Sequence, residues 1–337
     1  MIIRRLRMHV MRNHFFYNIL IICFTGTAIL MVLNYRTLQA EFVSTLAQQE
    51  ERAAWSQLEV FGGQTDVVVS QYFQQGLNVI SNLSAHPNFI QALQTNIPSA
   101  TQTLHDQQGL NNNFETITVL DKTGKIVTLS NISESARAIV GNDVSTQKYY
   151  QETIASKKPY ISNSFLSSGL DQHQLIAITS PIFINDELQY ILIGYMKVGD
   201  LTKQIHLSSN FVDFQATLTD GAGNVIIKNG QALADAPSLK DKDPVLDKLL
   251  AGNSPNVEQG ITPDNIPAFT RGEKISIGNA GTFYLLTFYP SSQLDAQKYE
   301  LQDEANSVGL FIISRDLFVF LIAVVILREY IARNAHL

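Results

Sequence analysis

The sequence predicts an α+β fold: a long N-terminal helix followed by two tandem modules of similar pattern, flanked by two transmembrane helices. Three observations predict it. Apolar stretches run from Phe15 to Tyr35 and from Val308 to Leu327, and about 20 apolar helical residues suffice to cross a hydrocarbon core roughly 30 Å thick. Between them, apolar residues first recur at spacings of three and four and then alternate at a spacing of two. Finally, one strand-turn-strand pattern occurs twice, with Asp121 and Gly124 of the first copy matched by Asp220 and Gly223 of the second.

The helical period continues beyond Tyr35 through Leu38, Phe42 and Leu46, then through Tyr72, Phe73, Leu77, Ile80 and Leu83. Gly62-Gly63 is expected to interrupt or bend this helix, and Pro87 to close it, with a short helix over Asn88 to Thr95. Strands follow at Phe114–Leu120 and Lys125–Leu129, joined by Asp121-Lys122-Thr123-Gly124. The Asp can close an Asx turn, and the Gly supplies the positive φ of the reversal. A helix over Asp143–Ser156 is expected next, then strands at Pro159–Leu166, Gln174–Ile184 and Leu188–Lys197, and a linking helix over Leu201–Ser208. The second hairpin spans Ala216 to Ile227. A helix at Pro244–Leu250 and strands near Ala268–Ile275 and Thr282–Tyr289 complete the second module.

Charge orients the chain. Arg4, Arg5, Arg7 and Arg12 precede the first stretch with no acid among them, while the chain as a whole carries −6. Basic residues beside a span stay in the cytoplasm. The expected topology is a cytoplasmic N-terminus (1–14), a first span (15–35), an extracytoplasmic region (36–306), a second span (307–327) and a short cytoplasmic tail (328–337). The extracytoplasmic region divides into 36–208, with the long helix and a membrane-distal module, and 209–306, a membrane-proximal module. A cleaved signal peptide is the rival reading of the first stretch, but the run is longer than a usual signal core and no small-x-small site follows Tyr35. The middle is acidic, which opposes nucleic-acid binding. The single cysteine, Cys23, lies in the first stretch, so no disulfide is expected in the outer region. Arg315 and Asp316 stand inside the second stretch. Either the membrane portion begins near Leu317 and leaves Arg315 at the outer interface, the favoured reading, or the pair lies within the bilayer against a partner helix.

The order of these parts resembles the double Cache (dCache) extracytoplasmic sensor domain of bacterial transmembrane receptors, over about residues 36 to 300. The resemblance rests on Val119–Val127, Gly141-Asn142-Asp143-Val144-Ser145 leading to Tyr149-Tyr150, and Lys158-Pro159-Tyr160-Ile161-Ser162. It continues through Ile178–Ile182, Ile193-Gly194-Tyr195, Thr219–Ile226, Ile277-Gly278-Asn279 and Phe283-Tyr284. It implies PAS-like modules and a small-molecule site in the distal one. In the amino-acid-binding branch, an Arg pairs with the ligand carboxylate and later Asp residues with its ammonium. Here the Arg position reads Gln147, the aromatics are Tyr149 and Tyr150, the later positions read Phe165 and Ser167, and the Asp after the glycine strand reads Met196. A zwitterion leaving water needs both charges matched. The resemblance therefore points to a neutral or weakly polar ligand held by Gln147, Tyr149, Tyr150, Tyr160, Phe165, Ser167, Thr179 and Met196. A pocket filled by its own side chains, or an alignment displaced by one residue, are the open alternatives.

The sequence shows no phosphate-cradling glycine loop, metal-spaced His or Cys pair, or Gly-x-Ser-x-Gly elbow. No cofactor, metal or catalytic residue is expected. The expected role is an extracytoplasmic small-molecule sensor in the plasma membrane, a homodimer that passes ligand binding to a separate cytoplasmic or membrane partner. Two other readings stand beside it. One is the sensor fragment of a histidine kinase, diguanylate cyclase or chemoreceptor, and the other is a ligand-free structural outer domain.

Overall fold

The structure is a computed structural model that describes residues 2–131, 133–134, 138–167, 174–208, 214–233, 237–253, 257–262 and 264–334. It divides into two compact units, one formed by residues 1–53 with 292–337 and the other by 54–291. Helix α1 (Ile2–Ser84) begins the chain, followed by α2 (Pro87–Thr95) and α3 (Ile97–Leu110). Then come β1 (Phe114–Asp121), β2 (Ile126–Leu129), α4 (Lys148–Ser156), β3 (Tyr160–Ile161), β4 (Phe165–Leu166), β5 (Gln174–Ile184), β6 (Glu187–Lys197) and α5 (Val198–Ser208). The second module has β7 (Gln215–Asp220), β8 (Val225–Lys228), β9 (Gln231–Ala232), α6 (Pro244–Leu250), β10 (Glu258–Ile261), β11 (Pro267–Ile277) and β12 (Gly281–Pro290). Helix α7 (Ser291–Asn334) ends the described chain.

Each module holds a six-stranded antiparallel sheet. The first has the order β2-β1-β6-β5-β3 with β4 also on β5, and the second β10-β11-β12-β7-β8-β9. This is the expected α+β class with a long N-terminal helix. Several boundaries differ. The single strand expected over Pro159–Leu166 is two short pieces separated by Ser162–Ser164, because Ser162 turns its hydroxyl to the Asn163 carbonyl (2.7 Å). Helix α4 begins at Lys148 rather than Asp143, because Asp143 spends its carboxylate on the Ser145 N–H (2.8 Å) in an Asx turn. Helix α3 and strands β9 and β10 had no clear apolar period and were not foreseen. Asn96 caps α3 by accepting from the Ser99 N–H at 3.2 Å.

Gly62-Gly63 does not interrupt α1, which is continuous to Ser84. Leu58, Phe61, Thr65, Val69, Tyr72, Phe73, Ile80 and Leu83 are buried along one stripe of it, the spacing of a single helix face. Phe73 stacks on Phe283 of β12 with ring centroids 4.2 Å apart and planes 6° apart. The Arg271 guanidinium donates to the Glu59 carbonyl (2.8 Å) and also pairs with Glu273. Farther along, Gly76 lies against Met196 and Ile178, and Gly194 of β6 against Phe114 and Ile80. A side chain at either glycine would hold helix and sheet apart.

The two hairpins match in atomic detail. Asp121 Oδ1 accepts from the N–H groups of Thr123 (2.8 Å) and Lys125 (3.0 Å), and Asp220 Oδ1 from those of Ala222 (2.9 Å) and Asn224 (3.0 Å). Gly124 and Gly223 adopt φ of 90° and 86°, where a side chain is strained. The modules meet where the Ile161 N–H donates to the Ala280 carbonyl (2.8 Å) and the Ser164 hydroxyl to Asp220 (3.4 Å).

In the other unit, Tyr35 packs on Gly309 and donates its hydroxyl to the Ala305 carbonyl (3.4 Å), and Gln39 donates to Asn306 (2.9 Å). Among the described residues, one helix segment, Ser291–Ile326, is long and apolar enough to cross a membrane. The first apolar stretch forms part of α1, but most of its side chains before Phe24 lie outside the described residues.

Overpacking a filled contact costs about 1–3 kcal/mol. Gly194→Ala is therefore expected to lower the stability of the 54–291 unit by that amount, read as a lower urea midpoint with an unchanged slope. The same change at Gly63, which faces open space, is expected to leave the midpoint unmoved.

Candidate functional site

Pairing of β5 with β6 places alternate residues on opposite faces of the distal sheet. Ile176, Ile178, Leu192 and Met196 join the core that α1 covers. Ala177, Ile191 and Ile193 face the other way, into a cluster with Tyr149 and Tyr150 of α4 and the partly buried Tyr160, Phe165 and Tyr195. Helix α4 lies over this second face. Tyr150 ties it to the first hairpin by donating to the Lys122 carbonyl at 2.8 Å. The hydroxyls of Thr153 and Thr179 bond to each other, both fully buried.

The centre of the cluster is aromatic and hydroxylic. The hydroxyls of Tyr149 and Tyr195 lie 3.0 Å apart. Their rings meet edge to face at 5.9 Å, and Phe165 sits 5.7 Å from Tyr149 and 6.1 Å from Tyr195. These are favourable quadrupole geometries. Thr179 also donates to the Tyr160 carbonyl (3.2 Å). Charges act on the edge of the cluster, those of Glu152 and Asp220 on Tyr160 and those of Asp121 and Asp143 on Tyr150. Burial raises the Tyr149 hydroxyl above the ordinary phenol range, and the bond from Tyr195 partly offsets this. Burial raises Tyr195 further, and the neighbouring Tyr149 adds to the shift. Burial also raises Tyr160, followed by the charges of Glu152 and Asp220. All three stay neutral and able to donate at physiological pH.

Of the residues singled out from sequence, the structure brings together Tyr149, Tyr150, Tyr160, Phe165 and Thr179. Gln147 is the exposed residue before α4, and its side chain makes no cap bond. Ser167 is half-buried at the end of β4, next to residues 168–173, which lie outside the described residues. Met196 does not join the group. It is buried on the opposite face, against Gly76 of α1, because a displacement of one residue along a strand reverses the face. Tyr195 occupies the place expected of Met196. Its signal was present in the alternation from Ile193, an odd position in register with Thr179. Thr153 was also missed, and its position one helical turn after Tyr149 could have revealed it.

Cavities open elsewhere in this unit. One of about 460 Å³ opens beside α3 and β2, lined by Pro98, Thr101, Val127, Leu129 and Val140 among others. Another, of about 370 Å³, lies at the β10 edge of the proximal sheet.

No protein-family model matches the chain, and no curated protein sequence is detectably similar to it. Solved structures are similar in fold. The ligand-binding domain of the Pseudomonas aeruginosa PAO1 amino acid chemoreceptor PctB in complex with L-Arg is 15% identical, with 72% of this chain and 97% of that one covered at a TM-score of 0.54. The ligand-binding domain of the Campylobacter jejuni chemoreceptor Tlp3 in complex with L-valine is 15% identical, with 75% and 98% covered at 0.55. An extracellular ligand-binding receptor from Desulfohalobium retbaense is 14% identical at 0.51, with 69% of this chain covered. This chain spans only 40% of that receptor's length. The fold is thus that of extracytoplasmic ligand-binding domains of receptors, as the resemblance implied.

The raised tyrosines have a consequence at high pH. The unfolded chain releases its phenolic protons near pH ~10, while the folded chain retains them. Their stabilising contribution is therefore complete below that pH and declines as pH rises toward the folded values. In urea titrations across this range, Tyr195→Phe is expected to show a shallower alkaline loss of stability than the parent chain.

Proposed function

We propose that the chain is an extracytoplasmic small-molecule sensor whose ligand enters between α4 and the outer face of the distal sheet. The observation that carries this reading is the cluster of rings and paired hydroxyls of Tyr149, Tyr195, Phe165, Thr153 and Thr179 on that face. It is the face left free by α1 in a fold shared with receptor ligand-binding domains. Tyr160 and Ser167 rim the site, and Gln147 stands at the entrance. Hydroxyl donors and ring faces without a fixed charge suit a neutral or weakly polar molecule. An amino acid would leave both its charges unpaired there, at a cost that hydrogen bonds to neutral groups do not recover. The ligand separates Tyr149 from Tyr195 and replaces their mutual bond with bonds to itself.

In this reading two spans, 15–35 and 307–327, hold region 36–306 outside the plasma membrane with both termini cytoplasmic. The chain works as a homodimer. Binding moves α4 against the distal sheet, the sheet bears on α1, and a separate cytoplasmic or membrane partner reads the shift in population. The Desulfohalobium retbaense receptor supports a second reading, because this chain spans only 40% of it: the same sensor within a longer receptor that bears its own output domain. A structural outer domain without ligand is the reading these experiments would leave standing if they fail.

Residues 36–306 can be screened against neutral and zwitterionic metabolites by thermal shift, and hits titrated calorimetrically. A neutral ligand is expected to raise the melting temperature. Tyr149→Ala and Tyr195→Ala are each expected to weaken its binding by about tenfold or more, corresponding to ~1.4 kcal/mol, while Met196→Leu on the opposite face leaves it intact. Binding that survives Tyr149→Ala would place the site elsewhere, and a set of purely zwitterionic hits would refute the neutral pocket.

A further inference from the structure

The strand cluster leaves one conspicuous pair of charges unused. Arg315 and Asp316 are the only charged residues between Val308 and Leu327. The structure shows where they stand along α7. Polar contacts between α1 and α7 occur at Tyr35 with Ala305 and at Gln39 with Asn306, the kind of residues that mark a membrane boundary. Asp316 lies ten residues beyond Asn306. At 1.5 Å per residue that is about 15 Å deeper, roughly half of a ~30 Å hydrocarbon core. On the membrane reading proposed above, with those contacts at the outer boundary, the pair would lie in the interior of the span.

The contact geometry is incomplete. Arg315 donates from Nε (2.9 Å) and Nη2 (2.8 Å), and both bonds go to the same carboxylate oxygen, Asp316 Oδ1. The second carboxylate oxygen and Nη1 have no partner among the described residues. Asp316 also lines a largely apolar groove of about 660 Å³ between α1 and α7, with Phe24, Met31, Tyr35, Ile312 and Phe320. In hydrocarbon, such leftover donors and acceptors are satisfied only by protein.

We propose that this groove seats the same segment of a second copy of the chain, with Arg315 of each copy bonding Asp316 of the other across a two-fold axis. The charges themselves select that occupant. An adjacent cation and anion form a self-complementary patch, in which each copy offers what the other lacks, the defining property of a two-fold interface. A foreign helix bearing a single charge would neutralise one member and strand the other. The four charges then close a neutral ring that fixes the register of the spans, as isolated polar residues do in other apolar interfaces. This inference rests on the membrane reading proposed above, but not on the ligand site.

The test uses the full chain in proteoliposomes of phosphatidylethanolamine and phosphatidylglycerol. Cys23, the chain's single cysteine, is replaced by Ala, and Ile313→Cys in the groove is oxidised to a disulfide between copies. Carbonate extraction comes first: release of the chain into the aqueous phase would overturn the membrane reading itself. With the chain retained, the parent is expected to cross-link. R315D and D316R are each expected to reduce the linked fraction by about tenfold, the scale of an interhelical polar contact, and the R315D/D316R double variant to restore it. Arg315→Gln and Asp316→Asn, which insert without placing a new charge in the bilayer, are expected to reduce it as well. Cross-linking that ignores all four single changes, or a double variant as poor as either single one, would overturn the pairing while leaving the membrane reading intact.

Discussion

Two glycines let a helix lie directly on a sheet, and the distal module is arranged around that contact. Gly76 of α1 meets Met196 and Ile178, and Gly194 of β6 meets Phe114 and Ile80. The close approach buries a continuous stripe of α1 and commits Ile176, Ile178, Ile182, Leu192 and Met196 to one core. The odd positions must then face away. Helix α4 covers them, and the tyrosine and threonine cluster forms beneath it. The candidate site is thus the complement of the helix contact, fixed by the two-residue period of the strands.

The same helix serves both modules. Phe73 stacks on Phe283 in the second sheet, and Arg271 reaches the Glu59 carbonyl. The direct bridge between modules runs from β3 to Ala280 and from Ser164 to Asp220. Tyr160, at the rim of the candidate site, precedes the bridging Ile161 in that strand. The candidate site is therefore joined to the second module by a short route through hydrogen bonds, in addition to the longer one along α1.

The electrostatics of the outer unit separate solvated from buried charge. Acidic residues that close turns, such as Asp121 and Asp220, spend their oxygens on backbone N–H groups, which satisfies the carboxylate without a cation. In the candidate site the hydroxyls of Tyr149 and Tyr195, and of Thr153 and Thr179, bond one another, so on the reading proposed above an entering ligand would exchange neutral bonds for neutral bonds. That exchange involves little desolvation of charge, which is what separates a site of this kind from one that must hold a zwitterion.

Much was legible in the sequence because it is local. The spacing of Tyr72 through Leu83 determines a helical stripe, the β5 and α6 boundaries follow from their apolar patterns, and Asp-x-x-Gly determines both hairpin turns. The tyrosines of α4 were singled out through the family resemblance carried by the segment that precedes them. The register of β5 against β6 could not. It decides between Tyr195 and Met196, and it depends on where α1 finds room at Gly76 and Gly194, residues more than a hundred positions apart. The continuity of α1 through Gly62-Gly63 was likewise decided by packing, since a helix held along its length tolerates glycines that would weaken it alone. The sequence by itself determined the elements and their chemistry, because period and turn geometry act between near neighbours. The tertiary structure decided which side chains share a face, because that choice is made by contacts between distant ones.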